Sequence, residues 1–295
     1  MTDSNGGGNP RALVNTEWVA AHLADSGVVL AEVNERPDLY DEGHIPGAVK
    51  LHWRDDLQDP FRRDIVDQPS FDRLLGELGI TRDTTVVLYG DRTNWFAAYA
   101  YWYLKSYGHA DVRIMDGGRD KWVAEGRELS ADAPDPQEVG YASDPRDEDI
   151  RAYSGQVREW LDADGHTLVD VRSPAEFAGE LIAPAGYEQE GAQRAGHIPG
   201  AISVPWSSAV REDGTFKSLE DLRELYAGKG VTPDTQVTAY CRIGERSAHT
   251  WFVLHELLGF PQVRNYDGSW TEWGSLVGVP VAVETTTPAR PAVPC

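Results

Sequence analysis

The chain has 295 residues, long for one domain and comfortable for two of about 100–150 each. Its formal net charge is −21, from 48 Asp and Glu against 27 Lys and Arg, which argues against nucleic acid and anionic membrane surfaces as partners, since both need a basic footprint. With 2 cysteines, Cys241 and Cys295, a disulfide framework is excluded and a reducing, cytoplasmic setting is expected.

In chain order, residues 1–10 read as a disordered tail with no basic apolar leader, and no later stretch has the apolar length of a membrane span. Val28–Val33 is an apolar run suited to a buried strand, and Gly43-His44-Ile45-Pro46-Gly47-Ala48 is a turn. Val86–Tyr89 is a second strand, and Trp95–Tyr107 is an aromatic-rich helix stopped by Gly108. Its tyrosines are expected to pack, in part against another domain. Val112–Met115 is a third strand, after which 130–151 is rich in Asp and Pro without apolar period; 136–150 is read as a linker. Strands resume at Thr167–Val171, Gly196–Val204, Gln236–Tyr240 and Val263–Tyr266, with helical spacing in Leu219–Tyr226 and in Ser247–Leu258, closed by Gly259. Residues 284–295, spaced by Pro288, Pro291 and Pro294, form a tail in which Cys295 is incidental. Alternating strand and helix predicts an α/β protein with parallel sheets flanked by helices, here in two domains, 11–135 and 151–283.

The two halves repeat one plan. Gly43–Ala48 recurs identically as Gly196–Ala201, and Asp116-Gly117-Gly118 matches Asp267-Gly268-Ser269. From Tyr89 to Trp122 the matches share a displacement of 151 residues, without a gap. On that alignment Gly90 stands where the second half has Cys241, and no arginine matches Arg246. The first half therefore has the frame without the nucleophile; Trp53 and Trp95 are its candidates for lining a shared pocket. The second half carries about fifteen extra residues, 180–193, which either cover the site or form a plain surface loop.

Cys241 follows a strand and precedes a helix, in the run Cys241-Arg242-Ile243-Gly244-Glu245-Arg246-Ser247. Chemistry in open parallel sheets collects beyond the carboxyl ends of strands, where loop amides and a helix terminus make a nest for an anion. With Arg242 and Arg246 added, the thiol is expected to titrate near or below pH ~7, from a reference of about 8.5. Cysteine phosphatases use a loop one residue longer between Cys and Arg, so this ring suits a persulfide sulfur better than a phosphate. Acyl transfer needs an imidazole at the sulfur. His249 and His255 lie on the following helix and face different sides, with His249 expected at the helix surface or as a cap. No paired Cys or His stands at metal-ligand spacing, so neither metal nor cofactor is expected. His44 and His197 are read as turn residues bonded to backbone.

Together the duplicated halves, the two Gly-His-Ile-Pro-Gly motifs, Asp170-Val171-Arg172, the Cys241–Ser247 loop and Asp267-Gly268-Ser269-Trp270 resemble the tandem-domain rhodaneses, the thiosulfate/3-mercaptopyruvate sulfurtransferase family. The resemblance spans about residues 11–283 and implies an inactive rhodanese-like domain followed by a catalytic one. It implies that Cys241 carries a persulfide, taking sulfur from a small anionic donor and passing it to a thiol or cyanide, or to an acceptor protein. Arg246, then Arg242, would bind the donor, with Arg194 at the pocket mouth. Gly244, Glu245 and Ser247 would shape the loop, and Asp170 and Arg172 would hold its scaffold. A loop beginning Cys-Arg goes with thiosulfate, whereas Cys-Gly-Ser-Gly-Val loops go with 3-mercaptopyruvate.

Overall fold

The computed structural model describes residues 8–284 apart from Ala133 and Asp162; the expected tails at 1–7 and 285–295, with Cys295, lie outside the described residues. In the first half, β1 (Leu13–Val14), α1 (Thr16–Ala21), β2 (Val28–Glu32), α2 (Asp38–Glu42) and β3 (Val49–Lys50) lead into α3 (Gln68–Glu77). Then come β4 (Thr85–Tyr89), α4 (Trp95–Ser106), β5 (Val112–Met115) and α5 (Gly118–Ala124). The second half follows with α6 (Ser154–Trp160), β6 (His166–Asp170), α7 (Pro174–Ala178), β7 (Ile202–Ser203) and α8 (Leu219–Ala227). It closes with β8 (Gln236–Tyr240), α9 (Glu245–Trp251), β9 (Val263–Tyr266) and α10 (Ser269–Trp273).

The two sheets have strand orders β1-β5-β4-β2-β3 and β7-β6-β8-β9, with every pairing parallel. They are the same sheet twice. Where β1 pairs β5, the second half keeps only a single parallel bridge, Arg151 to Asn265 on β9. The central strands β4 and β8 are buried along nearly their whole length, as apolar runs in a two-sided parallel sheet should be. Cys241 is the first residue beyond the carboxyl end of β8.

Helices α4 and α9 pack against each other, and one apolar core runs through both halves. Helix α4 is apolar nearly all round and almost completely buried, as such a helix must be. Tyr101 meets Phe252 edge-on, ring centroids 4.8 Å apart, so the tyrosines of α4 do pack across the interface. After α9 the helix continues as a π-turn over Phe252–Leu257, and Gly259 follows in left-handed conformation.

The segment read as a linker is not a free tether. Its amides at Val139, Asp144 and Asp147 donate to the carbonyls of Gly76, Tyr107 and Ser106, which lays it along the first half. At the other end of the first half, Asn9 N–H donates to the Glu256 carbonyl at 2.6 Å, tying the start of the described chain to the second half. Among the described residues no helix is long and apolar enough to cross a membrane.

Candidate active site

The Cys241 loop is fastened from below by α10 and β9. Cys241 N–H donates to Ser269 Oγ at 3.0 Å, while Trp270 and Thr271 N–H reach the carbonyls of Cys241 and Arg242. Ser247 Oγ bonds Asn265 Oδ1 at 2.7 Å, and Asn265 Nδ2 holds the Gly244 carbonyl at 3.1 Å. Gly244 has φ +101, and a Cβ there would lie 2.7 Å from Asp267 Cα, so the tight turn requires glycine. The turn aims Gly244 N–H at the sulfur, 3.1 Å from Sγ.

The sulfur itself is fully buried, and its thiol donates to Glu245 Oε2 at 3.1 Å. Burial pushes the Cys241 thiol up and the Glu245 charge adds to this, with Arg246 offsetting only part. The expectation of a thiolate-favouring loop is therefore corrected: in this closed arrangement the thiol form is favoured. Burial would also raise Glu245, but Arg242 and Arg246 outweigh it and hold the carboxyl below its ordinary value.

Both loop arginines are occupied. Arg246 forms a bidentate pair with buried Glu176, Nη1 to Oε2 at 3.1 Å and Nη2 to Oε1 at 3.2 Å. Glu176 is placed by the first turn of α7, where it and Ser173 form a reciprocal capping box behind Pro174. Arg242 bonds Glu190 at 2.7 Å, with its guanidinium 4.3 Å over the Tyr187 ring. Tyr187 and Glu190 belong to the extra segment, which therefore does cover the loop.

Arg172 and Asp170 form a fully buried pair in which Arg172 also bonds the Gly196 carbonyl at 2.7 Å and lies over the Trp270 ring at 4.6 Å. They brace the end of β6 and the floor of the site. Arg194 does not line the mouth. Its guanidinium donates to the carbonyls of Gly274, Val279, Trp273 and Leu276, capping the end of α10, so it is corrected to a structural residue. The two turn histidines are bonded to backbone carbonyls, His44 to Tyr40 and Asp132, His197 to Phe177.

The first half supplies a wall. Trp95, the counterpart of Arg246 in the duplication, lies under the Arg246 guanidinium at 5.8 Å and meets Trp206 edge-on at 5.1 Å. Arg63 crosses to donate to the carbonyls of Ile243 and Asp267 at 2.7 and 3.2 Å, holding the Cys241 loop from the opposite side. Two clefts flank the loop: one of about 420 Å³ with Gln58, Arg63 and Ile243 in its walls, and one of about 410 Å³ with Arg92, Tyr187 and Arg242. Trp53, Arg54 and Glu190 line both and so form the partition between them; Cys241 lines neither.

In the first half the equivalent loop is closed on itself. Arg92, Thr93 and Asn94 are left-handed, and Asn94 Oδ1 accepts the Gly90 N–H at 3.0 Å. The Gly90 amide is thus held from within its own loop, where the matching Cys241 amide is held by Ser269 of α10. Sequence reasoning missed Glu176, Glu190 and Arg63. The Ser-x-x-Glu capping signature at Ser173 marks Glu176, whereas no local signal marks the other two.

His249 is corrected from a helix-surface or capping residue to a buried one. It stacks on Phe216 at 4.8 Å with neither ring nitrogen hydrogen-bonded, and burial drives it down to about 3. A folded value below the unfolded one of about 6.5 gives stability that is complete above that pH and is lost as pH falls towards 3. Unfolding of His249→Phe should accordingly show a flatter acid limb, with wild type losing roughly 2 kcal/mol more between pH 8 and 5. Equal limbs in urea melts would contradict this.

A family model described as Rhodanese-like domain matches residues 15–125 and 154–276. A Saccharopolyspora erythraea protein named putative thiosulfate sulfurtransferase is 58% identical over 270 residues, 91% of this chain and 95% of its own. Thermus thermophilus sulfur carrier protein TtuD is 55% identical over 278 residues, 93% and 97% of the two chains. Among solved structures, a cysteine-persulfide form of EanB in a tetrahedral intermediate state with ergothioneine superposes with TM-score 0.82 at 25% identity, covering 96% of this chain and 74% of its own. With both halves matched by one family model, and relatives more than half identical along most of their lengths, the chain belongs to the rhodanese family.

Proposed function

We propose that the protein is a sulfurtransferase that moves the sulfane sulfur of thiosulfate to a thiophilic acceptor through a persulfide on Cys241. The observation that carries this reading is a lone cysteine in an amide- and arginine-lined turn, with neither a histidine nor a second cysteine bonded to its sulfur. The Cys241 thiolate attacks the outer sulfur of thiosulfate, the S–S bond breaks, and sulfite leaves with its electron pair. A thiolate or cyanide then attacks the terminal sulfur, taking it as a persulfide or thiocyanate and returning Cys241 as thiolate. Gly244 N–H points where the negative charge sits before and after transfer. On this reading Arg242 and Arg246 offset the repulsion between an anionic attacker and an anionic donor. Donor and acceptor use one site in turn, so ping-pong kinetics follow.

The names of the relatives support sulfur transfer, and the sulfur carrier name of the Thermus thermophilus relative favours a second reading in which the chain carries sulfur onward rather than turning over a small acceptor. A reducing cytoplasm is the compartment in which a free thiol of this kind persists. The test is intact-mass analysis after exposure to thiosulfate or 3-mercaptopyruvate, followed by steady-state kinetics with each. Thiosulfate is expected to add the mass of one sulfur atom to the peptide holding Cys241 and to give the higher kcat/KM. No adduct from either donor overturns the mechanism; a preference for 3-mercaptopyruvate overturns the donor assignment.

A further inference from the structure

We propose that Glu190 is a built-in stand-in for the donor's anionic end. On this proposal Arg54, from the first half, grips that end together with Arg242 once the turn carrying Glu190 swings aside. The proposal rests on the sulfurtransferase reading above and adds a binding residue and a cover to it.

The Glu190 carboxylate lies between two guanidinium groups from different halves of the chain. Arg242 holds one oxygen at 2.7 Å, and Arg54 Nη2 stands 3.5 Å from the other. Each cation lies against an aromatic ring. Arg242 is buried against Tyr187, while Arg54 lies 4.6 Å over the Trp53 ring, which itself stacks on Phe96 at 4.3 Å. Two cations facing one carboxylate, with Arg54 on an aromatic support that does not belong to the moving turn, match a small oxyanion such as the sulfonate end of thiosulfate.

The carboxylate is also a barrier. Cys241 is fully buried, and Glu190 belongs to the partition between the two clefts beside its loop. Withdrawing Glu190 would join the clefts above the Cys241 loop. The segment that carries it leaves α7 at Gly179 (φ +84) and returns at Gly196 (φ +119). The turn at its tip meets the loop side through the Glu190–Arg242 pair, the Tyr187–Arg242 stack and a bond from Thr271 Oγ1 to the Glu190 carbonyl at 2.9 Å, while buried Ala192, and Arg194 bonded to the end of α10, anchor the segment's return. Leu181 and Ile182 on it are exposed to solvent. A donor anion binding only the open form replaces the charge that leaves, so the two arginines are paired in either state and the donor itself shifts the population to open.

The experiment uses the full chain in a Cys295→Ser background, so that every readout belongs to Cys241. Alkylation by neutral iodoacetamide, measured on the high-pH plateau where ionisation is complete, reads access to the sulfur alone. Glu190→Ala should alkylate at least ~10-fold faster than wild type and lower the thiosulfate KM by a similar factor. Glu190→Gln, which keeps the shape of the turn, should move both in the same direction by less. Arg54→Ala should raise alkylation while raising the thiosulfate KM about 10-fold, an opposition that simple loosening of the structure does not produce. In the Glu190→Ala background, Arg54→Ala should still raise KM. Wild-type alkylation by Glu190→Ala, or an Arg54→Ala KM equal to wild type, overturns the proposal. If thiosulfate loads no sulfur on wild type yet Glu190→Ala alkylates faster, the cover stands and the donor assignment falls.

Discussion

Cys241→Ser should abolish sulfur loading and lower turnover roughly 10⁴-fold or more, while leaving the fold intact. Both halves of that expectation come from the same geometry. A serine hydroxyl can accept from Gly244 N–H and donate to Glu245 as the thiol does at 3.1 Å each, so no buried polar group loses its partner. The change in stability should then be of the order of 1 kcal/mol. Reactivity does not survive, because an alkoxide beside the Glu245 carboxylate in a buried site is far less accessible than a thiolate, and an oxygen–sulfur bond does not store sulfane sulfur. Peptide-level mass spectrometry after thiosulfate is the check, with a thermal melt as control. An adduct that persists in the variant would place the sulfur elsewhere, Cys295 being the first alternative.

Arg246→Ala should cost about 3–5 kcal/mol of stability, because Glu176 then remains buried and ionised with its bidentate partner gone. Burial alone would raise Glu176; in the wild type Arg246 and the Ser173 hydrogen bonds outweigh it and hold the carboxyl below its ordinary value. In the variant that balance reverses, so the deficit should shrink as pH falls and Glu176 takes up a proton. Turnover should fall as well, with kcat/KM for thiosulfate down at least ~10-fold, about 1.4 kcal/mol. A second variant separates the two effects. Arg246→Met with Glu176→Gln removes both charges and should recover most of the stability but not the activity. Urea melts and donor kinetics on the pair decide this; wild-type kcat/KM in the double variant would move donor binding to Arg242 and Arg54.

Much of the fold could be read from local pattern. The buried parallel strands are continuous apolar runs, and the repeated Gly-His-Ile-Pro-Gly turns give the duplication away in any alignment of the chain with itself. Elements without such a pattern were missed. Strand β1 is only Leu13–Val14, and its counterpart is a single bridge at Arg151, too short to carry a period. The site divides in the same way. Spacing places Arg242 and Arg246 in one loop with Cys241, but it says nothing of Glu190 and Glu176, fifty to seventy residues away, which decide whether those charges are free. Desolvation is likewise a property of the packed molecule, which is why the thiol moved up where the neighbouring arginines alone would move it down. Arg194 failed for a related reason. A basic residue beside a turn repeated in both halves reads as a binding group until the open carbonyls at the end of α10 are seen to claim it.

The seam between α4 and α9 restricts how this molecule can breathe. Parting the halves would wet Tyr101, Trp251 and Phe252 among others, at about 1.5–3 kcal/mol for each large side chain. Such an excursion is a poor way to admit a substrate in every catalytic cycle. On the cover proposed above, the molecule works as a rigid block with one small moving part. Mutations that stiffen or loosen that part should therefore change turnover more than those that part the seam, which should act first on the melting temperature.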